Sequence, residues 1–264
     1  MKNTEDWEPG ERVQLLVYGP SKSGKTFGAL TFPRPCVMDF DRGIATANNP
    51  DFIKLYGKRK VLYEQFYDTK RVKGGVVMNH NAFDDACRFF DEMMSDDKRD
   101  MFDTWVVDSG TTLSDAALNK AIVLLGSGTF KGISSKTHEE AKKHGLVVPK
   151  IQDYGSERSL VEQFVDMLLG ADKHLVFICH EKVITNSDGV VTAVTPLLTG
   201  KGVEAVCLRF DEVYNLQVKG NAATRTRRLL TASDGIRVAG SRYGIPSDID
   251  WSWDSINAAF NKEK

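Results

Sequence analysis

The sequence predicts an α/β fold in which a mostly parallel central sheet is flanked by helices. The first observation is a series of short apolar runs, which are typical of strands buried on both faces of a sheet. These predicted strands span residues 13–19, 35–41, 104–109, 174–180, 210–218 and 227–232. The second observation is helical periodicity between them, at residues 81–94 and 156–170, where Ser156 is placed as the N-cap. Strands that alternate with helices favour parallel pairing through crossover connections.

The predicted organisation is a single domain over residues 1–264, because no repeat or low-complexity segment divides the chain. Residues 1–11 form an N-terminal extension, and residues 247–264 form a C-terminal tail. Two further segments, 125–155 and 183–203, follow neither periodicity. Loops of this length are uncommon in a compact domain unless they are functional or disordered. We expect both segments to be functional loops.

Composition excludes several classes of protein. The net charge of -1 argues against a surface coated in positive charge, so any nucleic-acid contact is local. No apolar stretch approaches the roughly 20 residues that a membrane span requires, and the N-terminus is too polar for a signal peptide. The four cysteines are widely spaced without a C-x-x-C pair, which argues against a zinc site. We expect a cytoplasmic protein that makes no membrane contact.

One stretch, GPSKSGKT at residues 19–26, matches the pattern G-x-x-x-x-G-K-[ST] between a predicted strand and a helix start. Glycines in such a loop let successive backbone N–H groups approach phosphate oxygens, and the helix N-terminus adds partial positive charge. Lys25 would contact the β- and γ-phosphates, and the Thr26 hydroxyl would complete a Mg²⁺ shell. The sequence therefore predicts that a nucleoside triphosphate binds here. The expected binding residues are Gly19, Pro20, Ser21, Lys22, Ser23, Gly24, Lys25, Thr26 and Phe27.

Acidic residues stand at the ends of two other predicted strands. Asp108 follows the run TWVV and is the candidate that holds Mg²⁺ together with Thr26. Asp41 is assigned to orienting or deprotonating the attacking water, with Asp39 as the alternative. His180 lies at the same rim of the sheet, where it would sense the γ-phosphate by hydrogen bonding. The predicted catalytic residues are Lys25, Asp41, Asp108 and His180.

Taken in chain order, these motifs resemble the RecA-type recombinase core. GPSKSGKT resembles its P-loop, VVDSG its Walker B strand, and VMDFDRG its second-strand acidic element, with Asp41 in place of a glutamate. FICHE is similar to its sensor strand, with His180 where a glutamine usually stands. The segment that ends in PLLTGKGVEAVCLRFDEVYNL resembles its mobile DNA-binding loop, short helix and next strand. The resemblance is closer still to the small phage-encoded RecA-like ATPases, which keep only the ATPase core, and it covers most of residues 12–246.

The resemblance implies a RecA-like P-loop NTPase fold and a P-loop ATPase that uses ATP and Mg²⁺. It further implies that the protein binds single-stranded DNA and promotes ATP-dependent annealing in homologous recombination, in the host cytoplasm if a phage encodes it. Its expected partners are copies of itself, in a ring or a filament, with a single-strand binding protein as a further candidate. ATP would bind at a subunit boundary, where the trans-acting candidates are Lys201, Arg227, Arg228 and Arg242. The DNA-binding candidates are Lys131, Lys136, Lys142, Lys143 and Lys150.

Three other functions remain open from the sequence. A motor or assembly ATPase of the same fold, helicase-like or packaging-like, would use the same motifs. A small-molecule phosphotransferase would need an arginine-rich lid, whereas the candidate loops are rich in lysine, glycine and threonine. A P-loop that binds nucleotide only for structural regulation would show no turnover. The sequence's candidate for stacking on the nucleobase is Tyr243.

Overall fold

The computed structural model describes residues 12–72, 76–124, 149–199, 202–220 and 226–261. The strands are β1 Gln14–Gly19, β2 Pro35–Asp39, β3 Leu62–Gln65, β4 Thr69–Val72, β5 Val76–Asn79, β6 Thr104–Asp108, β7 His174–Thr185, β8 Val191–Pro196, β9 Glu212–Lys219, β10 Thr226–Leu230, β11 Gly240–Ser241 and β12 Asp248–Asp250. The α-helices are α1 Lys25–Ala29, α2 Pro50–Tyr56, α3 Ala82–Met93, α4 Gly110–Leu124, α5 Ile151–Leu169, α6 Gly202–Cys207 and α7 Trp253–Asn261. Two 3-10 helices, Gly43–Asn48 and Arg99–Met101, complete the regular elements of the described residues.

The central sheet runs in the order β12-β10-β9-β1-β7-β6-β2-β3, with β11 added to β9 and β8 added to β7. Its middle, from β9 to β3, is parallel throughout, and antiparallel pairs occur where β10, β11, β12 and β8 join. The strand β7 separates β1, which leads into the P-loop, from β6, which ends in Asp108. The prediction of a mostly parallel sheet flanked by helices is confirmed.

The apolar runs of the sequence form strands because helices cover both faces of the sheet. In β1 the side chains of Leu16 and Tyr18 join one core cluster, and those of Leu15 and Val17 join the other. The first cluster contains the apolar faces of α3, α4 and α5, and the second contains those of α1, α2 and α7. Since these four side chains are all fully buried, the sequence of this strand is continuously apolar rather than alternating.

Two predictions about local structure are wrong. The helix expected to begin after Ser156 begins at Ile151, because the carboxylate of Asp153 accepts a hydrogen bond from the Lys150 N–H at 2.7 Å and caps the helix there. The expected loop 183–203 contains a β-hairpin of β7 and β8 instead. Its turn is stabilised by the Asn186 side chain, whose Oδ1 accepts hydrogen bonds from the N–H groups of Asp188 and Val190. Residues 125–148 lie outside the described residues.

The C-terminal tail packs on its own chain. Strand β12 pairs with β10, and Trp251 is buried in the second core cluster. The ring of Trp253 lies 5.0 Å from that of Phe32 and 4.8 Å from that of His174. Within the part of the chain that the structure describes, no helix combines the length and apolar character needed to cross a bilayer.

His174 makes a buried contact whose strength depends on its protonation state. Its Nδ1 accepts a hydrogen bond from the Val13 N–H at 3.0 Å, which joins the start of β7 to the residue before β1. Burial lowers the pKa of His174 to about 4, and the positive charge of Arg12 acts in the same direction. The unfolded chain takes up this proton near pH 6.5, so folded stability falls as the pH drops from there towards 4.

We predict that the free energy of unfolding falls by roughly 3 kcal/mol between pH 6.5 and pH 4 because of this histidine. The measurement is the free energy of unfolding by urea at several pH values, for the wild-type protein and for His174→Gln. The variant is less stable at neutral pH but loses less stability on acidification. Equal pH slopes in the two proteins would contradict the assignment of a neutral His174.

Candidate functional site

The loop between β1 and α1 has the conformation that its glycines permit. Gly24 adopts a left-handed backbone with φ of 96°, and a Cβ atom there would overlap with the Arg227 side chain. A Cβ atom on Gly19 would lie 2.7 Å from the carbonyl oxygen of Leu216 in β9. Both glycines of the motif are therefore required by close approach, one of them also by its backbone angle.

Lys25 begins α1 and turns back over this loop. Its buried Nζ donates hydrogen bonds to the carbonyl oxygens of Gly19 at 3.0 Å and Pro20 at 2.7 Å. Burial lowers the pKa of Lys25, and the nearby Asp108 carboxylate acts in the opposite direction. In the same loop the buried Ser23 hydroxyl has no hydrogen-bond partner among the described residues. A loop with an ammonium group and an unsatisfied hydroxyl fits an anionic ligand such as a phosphate.

Thr26 and Asp108 meet beside the loop. The Thr26 hydroxyl donates to Oδ2 of Asp108 at 2.6 Å. Burial raises the pKa of Asp108 to about 6, although the hydrogen bond from Thr26 acts in the opposite direction. Hydroxyl and carboxylate oxygens are the ligands that Mg²⁺ prefers, so the chemistry of this pair fits the predicted metal. Gly43 also approaches here, since a Cβ atom on it would overlap with Oδ2 of Asp108.

Asp41 and His180 form a second pair in the same region. The Nε2 atom of His180 lies 2.9 Å from Oδ2 of Asp41, and the Thr112 hydroxyl donates to Oδ1 of Asp41. Burial alone would raise the pKa of Asp41, but the hydrogen bonds, of which that from His180 is the strongest, lower the pKa to about 2. Asp41 is therefore an anion at neutral pH. Such a weak base suits orienting a water molecule better than deprotonating it.

Asp39, the alternative to Asp41, has a different environment. Its fully buried carboxylate accepts hydrogen bonds from the Gly43 N–H at 2.7 Å and from the Gln65 side chain at 2.9 Å. These bonds hold the start of the 3-10 helix Gly43–Asn48 and the edge strand β3. Asp39 thus supports the backbone near the site, whereas Asp41 lines the cavity. The role of Asp41 towards water stays a prediction.

A cavity of about 450 Å³ brings the predicted residues together. Lys25, Asp41, Asp108 and His180, the four predicted catalytic residues, all line it. Of the predicted binding residues, those that line the cavity are Ser21, Lys22, Gly24, Lys25, Thr26 and Phe27. The other three, Gly19, Pro20 and Ser23, belong to the loop without being among its lining residues.

The trans-acting candidates lie in four different settings. Arg227 lines the cavity of its own chain, and its Nε donates to the Ser23 carbonyl oxygen at 3.3 Å, while its expected trans role stays a prediction. Asp248 and Asp250 hold the Arg228 guanidinium at 2.6 Å each, and its trans role stays a prediction. Arg242 is exposed, with Asp211 at 2.7 Å, and its trans role stays a prediction. Lys201 lies outside the described residues.

Among the DNA-binding candidates, Lys150 is the N-cap residue of α5. Lys131, Lys136, Lys142 and Lys143 lie outside the described residues. No contact of the described residues tests their role, which stays a prediction.

Several residues of the site were not found from the sequence. Thr112 holds Asp41, and Gly43 packs against Asp108. The indole Nε1 of Trp251 donates to the carbonyl oxygens of Gly24 at 3.2 Å and Lys25 at 2.9 Å, so the tail holds the start of α1. Of these residues, only Thr112 could have been found from the sequence near a motif. It follows Asp108 by four positions, and a hydroxyl group there can donate to an acid at the end of the neighbouring strand.

Comparisons with known proteins give one family match. A family model described as AAA domain matches residues 11–243. One similar solved structure is a KaiC-like protein of the hyperthermophilic archaeon Pyrococcus horikoshii OT3, with 10% identity and a TM-score of 0.40 over 83% of this chain and 77% of that chain. Another is the flagellar accessory protein FlaH of Methanocaldococcus jannaschii, with 9% identity and a TM-score of 0.37 over 90% and 83%. A search of curated proteins finds no match.

We predict that Gly43→Ala weakens Mg²⁺-dependent nucleotide binding about 10-fold or more, because the new methyl group displaces the Asp108 carboxylate from Thr26. The measurement is calorimetric titration with ADP and Mg²⁺. Gly155→Ala is the control, since a methyl group there meets nothing within 4 Å and adds roughly 0.5–1 kcal/mol of stability in a helix interior. Wild-type affinity in Gly43→Ala would refute the placement of the metal pair.

Proposed function

Since the chain belongs to the AAA domain family, we propose that it is an ATPase that binds single-stranded DNA and promotes ATP-dependent annealing of complementary strands. Its sheet order supports a RecA-like P-loop core, with one strand between the P-loop strand and the strand of Asp108. In this proposal the protein works as a homo-oligomer in the cytoplasm, that of a host cell if the gene belongs to a phage. A single-strand binding protein is a further partner in the proposal.

One observation carries the proposed ATPase activity: two separate pairs of side chains face one cavity beside the P-loop. The first pair is Thr26 with Asp108, and the second is Asp41 with His180. The first has the oxygen ligands that a metal needs, and the second has an anion fixed by hydrogen bonds. A nucleotide-binding protein without turnover needs only the first, so the second favours hydrolysis.

The residues of the loop bind the triphosphate in this proposal. The backbone N–H groups at the start of α1 and the Lys25 ammonium group bind phosphate oxygens. Lys25 exchanges its bonds to the carbonyl oxygens of Gly19 and Pro20 for bonds to the nucleotide. Thr26 and Asp108 are the residues that would hold Mg²⁺, which when bound neutralises charge on the phosphates.

Asp41 directs the water that attacks the γ-phosphorus. Its carboxylate accepts hydrogen bonds from Thr112, His180 and Ser109, and a carboxylate has about four acceptor sites, so it can also bind a water molecule. The attack forms a bond between the water oxygen and phosphorus and breaks the bond from phosphorus to the β–γ bridging oxygen. The proton of the water leaves with the inorganic phosphate, since a carboxylate whose pKa is about 2 does not retain it.

In this proposal the site is linked to DNA through β7, which continues from His180 into the hairpin. The backbone N–H of His180 donates to the Thr111 hydroxyl at 3.0 Å, and that hydroxyl donates to the Leu197 carbonyl oxygen at 2.8 Å. Leu197 follows the hairpin of β7 and β8 and itself donates to the His180 carbonyl oxygen at 2.8 Å. A change at Asp41 and His180 therefore reaches the base of the hairpin through direct hydrogen bonds, which supports a coupling of nucleotide state to this segment.

The hairpin and the lysine-rich segment 131–150 are the proposed contacts to single-stranded DNA. The hairpin exposes Val183, Ile184 and Val190, which form an apolar patch that the proposal places against the bases. Lysines bind the phosphate backbone without regard to sequence, so the affinity falls steeply with salt.

We predict that Asp41→Asn lowers kcat for ATP hydrolysis by about 100-fold, because the attacking water loses the anion that orients it. Its KM for ATP changes little, because the loop and Lys25 are intact. Lys25→Ala serves as the contrasting variant and loses nucleotide binding itself. Steady-state phosphate release and ADP titration measure the two effects, and wild-type turnover in Asp41→Asn would refute the assignment.

Annealing of two complementary fluorescent oligonucleotides tests the DNA function. We expect ATP-dependent annealing by the wild-type protein, none by Lys25→Ala, and an ATP hydrolysis rate that rises when single-stranded DNA is added. A quadruple substitution of Lys131, Lys136, Lys142 and Lys143 by alanine weakens DNA binding and flattens its salt dependence while ADP affinity is unchanged. Directional unwinding of a tailed duplex would favour a motor ATPase instead, and indifference to DNA would overturn the proposal.

A further inference from the structure

Arg227 is attached to the P-loop of its own chain by several contacts. Its Nε donates to the Ser23 carbonyl oxygen at 3.3 Å, and its guanidinium carbon lies 4.2 Å from the centre of the Phe27 ring. A Cβ atom on Gly24 would overlap with this side chain. The arginine thus covers the start of α1, from Ser23 to Phe27, and it lines the cavity.

The backbone of Arg227 is fixed on both sides. Strand β10 pairs with β9, where Arg227 is opposite Val218. On its other edge, the Trp251 N–H donates to the Arg227 carbonyl oxygen at 3.0 Å. The same Trp251 binds the carbonyl oxygens of Gly24 and Lys25 through its indole. Since strand and loop are joined in this way, the guanidinium has a defined position over Phe27.

Phe27 itself belongs to a group of aromatic rings. Its ring centre lies 5.1 Å from that of Phe52 and 5.9 Å from that of Tyr56, so Phe27 is held rigidly beneath the guanidinium. Acidic groups are concentrated elsewhere in the cavity, where Asp108 bonds Thr26 and Asp41 bonds His180. At the cavity, Arg227 and Phe27 offer a guanidinium group and an aromatic ring, whereas Thr26 lies beside the oxygen atoms of Asp108.

We infer that Arg227 and Phe27 form the base-binding part of the nucleotide cavity, in which the Arg227 guanidinium stacks on a purine. This inference rests on the proposed function, because the loop must first bind the phosphates. A planar guanidinium that covers Phe27 with one face can stack with its other face on a second flat ring. A purine has a larger flat surface than a pyrimidine, and the stacking energy of a base on such a platform grows with contact area.

The position along α1 agrees with this assignment. Lys25 and Thr26 are the expected ligands of the β- and γ-phosphates and of the metal. The nucleoside continues from the α-phosphate past the next residue of the first turn, which is Phe27. Tyr243, which the sequence offered for this role, packs against Phe260 with ring centres 5.1 Å apart and is not among the lining residues of the cavity.

Calorimetric titration in the presence of Mg²⁺ tests the inference with ADP, GDP, CDP and pyrophosphate, which avoid turnover during the measurement. The wild-type protein should bind ADP and GDP about 10-fold more tightly than CDP or pyrophosphate. Arg227→Ala should weaken ADP binding about 10-fold and pyrophosphate binding less than about 2-fold. Arg227→Lys should weaken ADP binding nearly as much, since an ammonium group has the charge but not the plane. Arg88→Ala, which removes an exposed charge from α3, is the control and should match the wild type.

The outcomes separate this inference from the proposed function. If the wild-type protein binds neither ADP nor pyrophosphate, the proposed function fails and the inference fails with it. If both bind and Arg227→Ala weakens them equally, Arg227 is a phosphate ligand, and the inference alone is overturned. Full ADP affinity in Arg227→Lys, or equal wild-type affinities for ADP, CDP and pyrophosphate, overturns it too. Thermal unfolding checks that the variants fold, and the wild-type comparison of ligands needs no variant.

Discussion

The parallel pairing of β2, β6, β7 and β1 is the constraint on which the site depends. Its register sets Asp39 beside Asp108 and His180 beside Gly19. The carboxyl ends of β1, β2 and β6 therefore meet at one edge of the sheet, next to the middle of β7. A shift of one residue in any pair would send these side chains to the opposite face. The core clusters on both faces fix the register, because every β1 residue from Leu15 to Tyr18 is fully buried. Packing in the core, away from the functional site, therefore determines the positions of Asp39 and Asp108.

Several ionisable side chains at this edge of the sheet are buried from solvent. Lys25, Asp39 and Asp108 are all buried, and burying charges is costly unless partners satisfy them. The carboxylates use hydroxyl, amide and backbone donors, and Lys25 uses carbonyl oxygens. In the proposed function a bound nucleotide and its metal supply the remaining compensation, so ligand binding and folded stability are linked.

Sequence reasoning found the parts of the site that are local in the chain. The P-loop and the acid after an apolar run are contiguous motifs, and a parallel sheet brings strand ends together as a rule. It missed the place of Arg227 because 204 positions separate Arg227 from Ser23 along the chain, and pairing of β10 with β9 and β12 decides that contact. The start of α5 was misplaced because Asp and Ser both favour helix starts, so the sequence offers two candidate positions. In the structure the Asp153 carboxylate caps the helix, which begins at Ile151 rather than after Ser156. The hairpin after His180 was missed because its exposed strands lack the apolar alternation of a half-buried sheet.

Hydrogen exchange with mass spectrometry tests the central claim directly, that the loop before α1 binds phosphates through its backbone. The protein is labelled alone and with Mg²⁺ and a non-hydrolysable ATP analogue, and exchange is followed by peptide. The account predicts slower exchange in peptides covering residues 18–27, with a smaller effect around residues 39–46, because their N–H groups become bonded or shielded. Unchanged exchange at residues 18–27 under saturating analogue, with protection at another part of the chain, would contradict it.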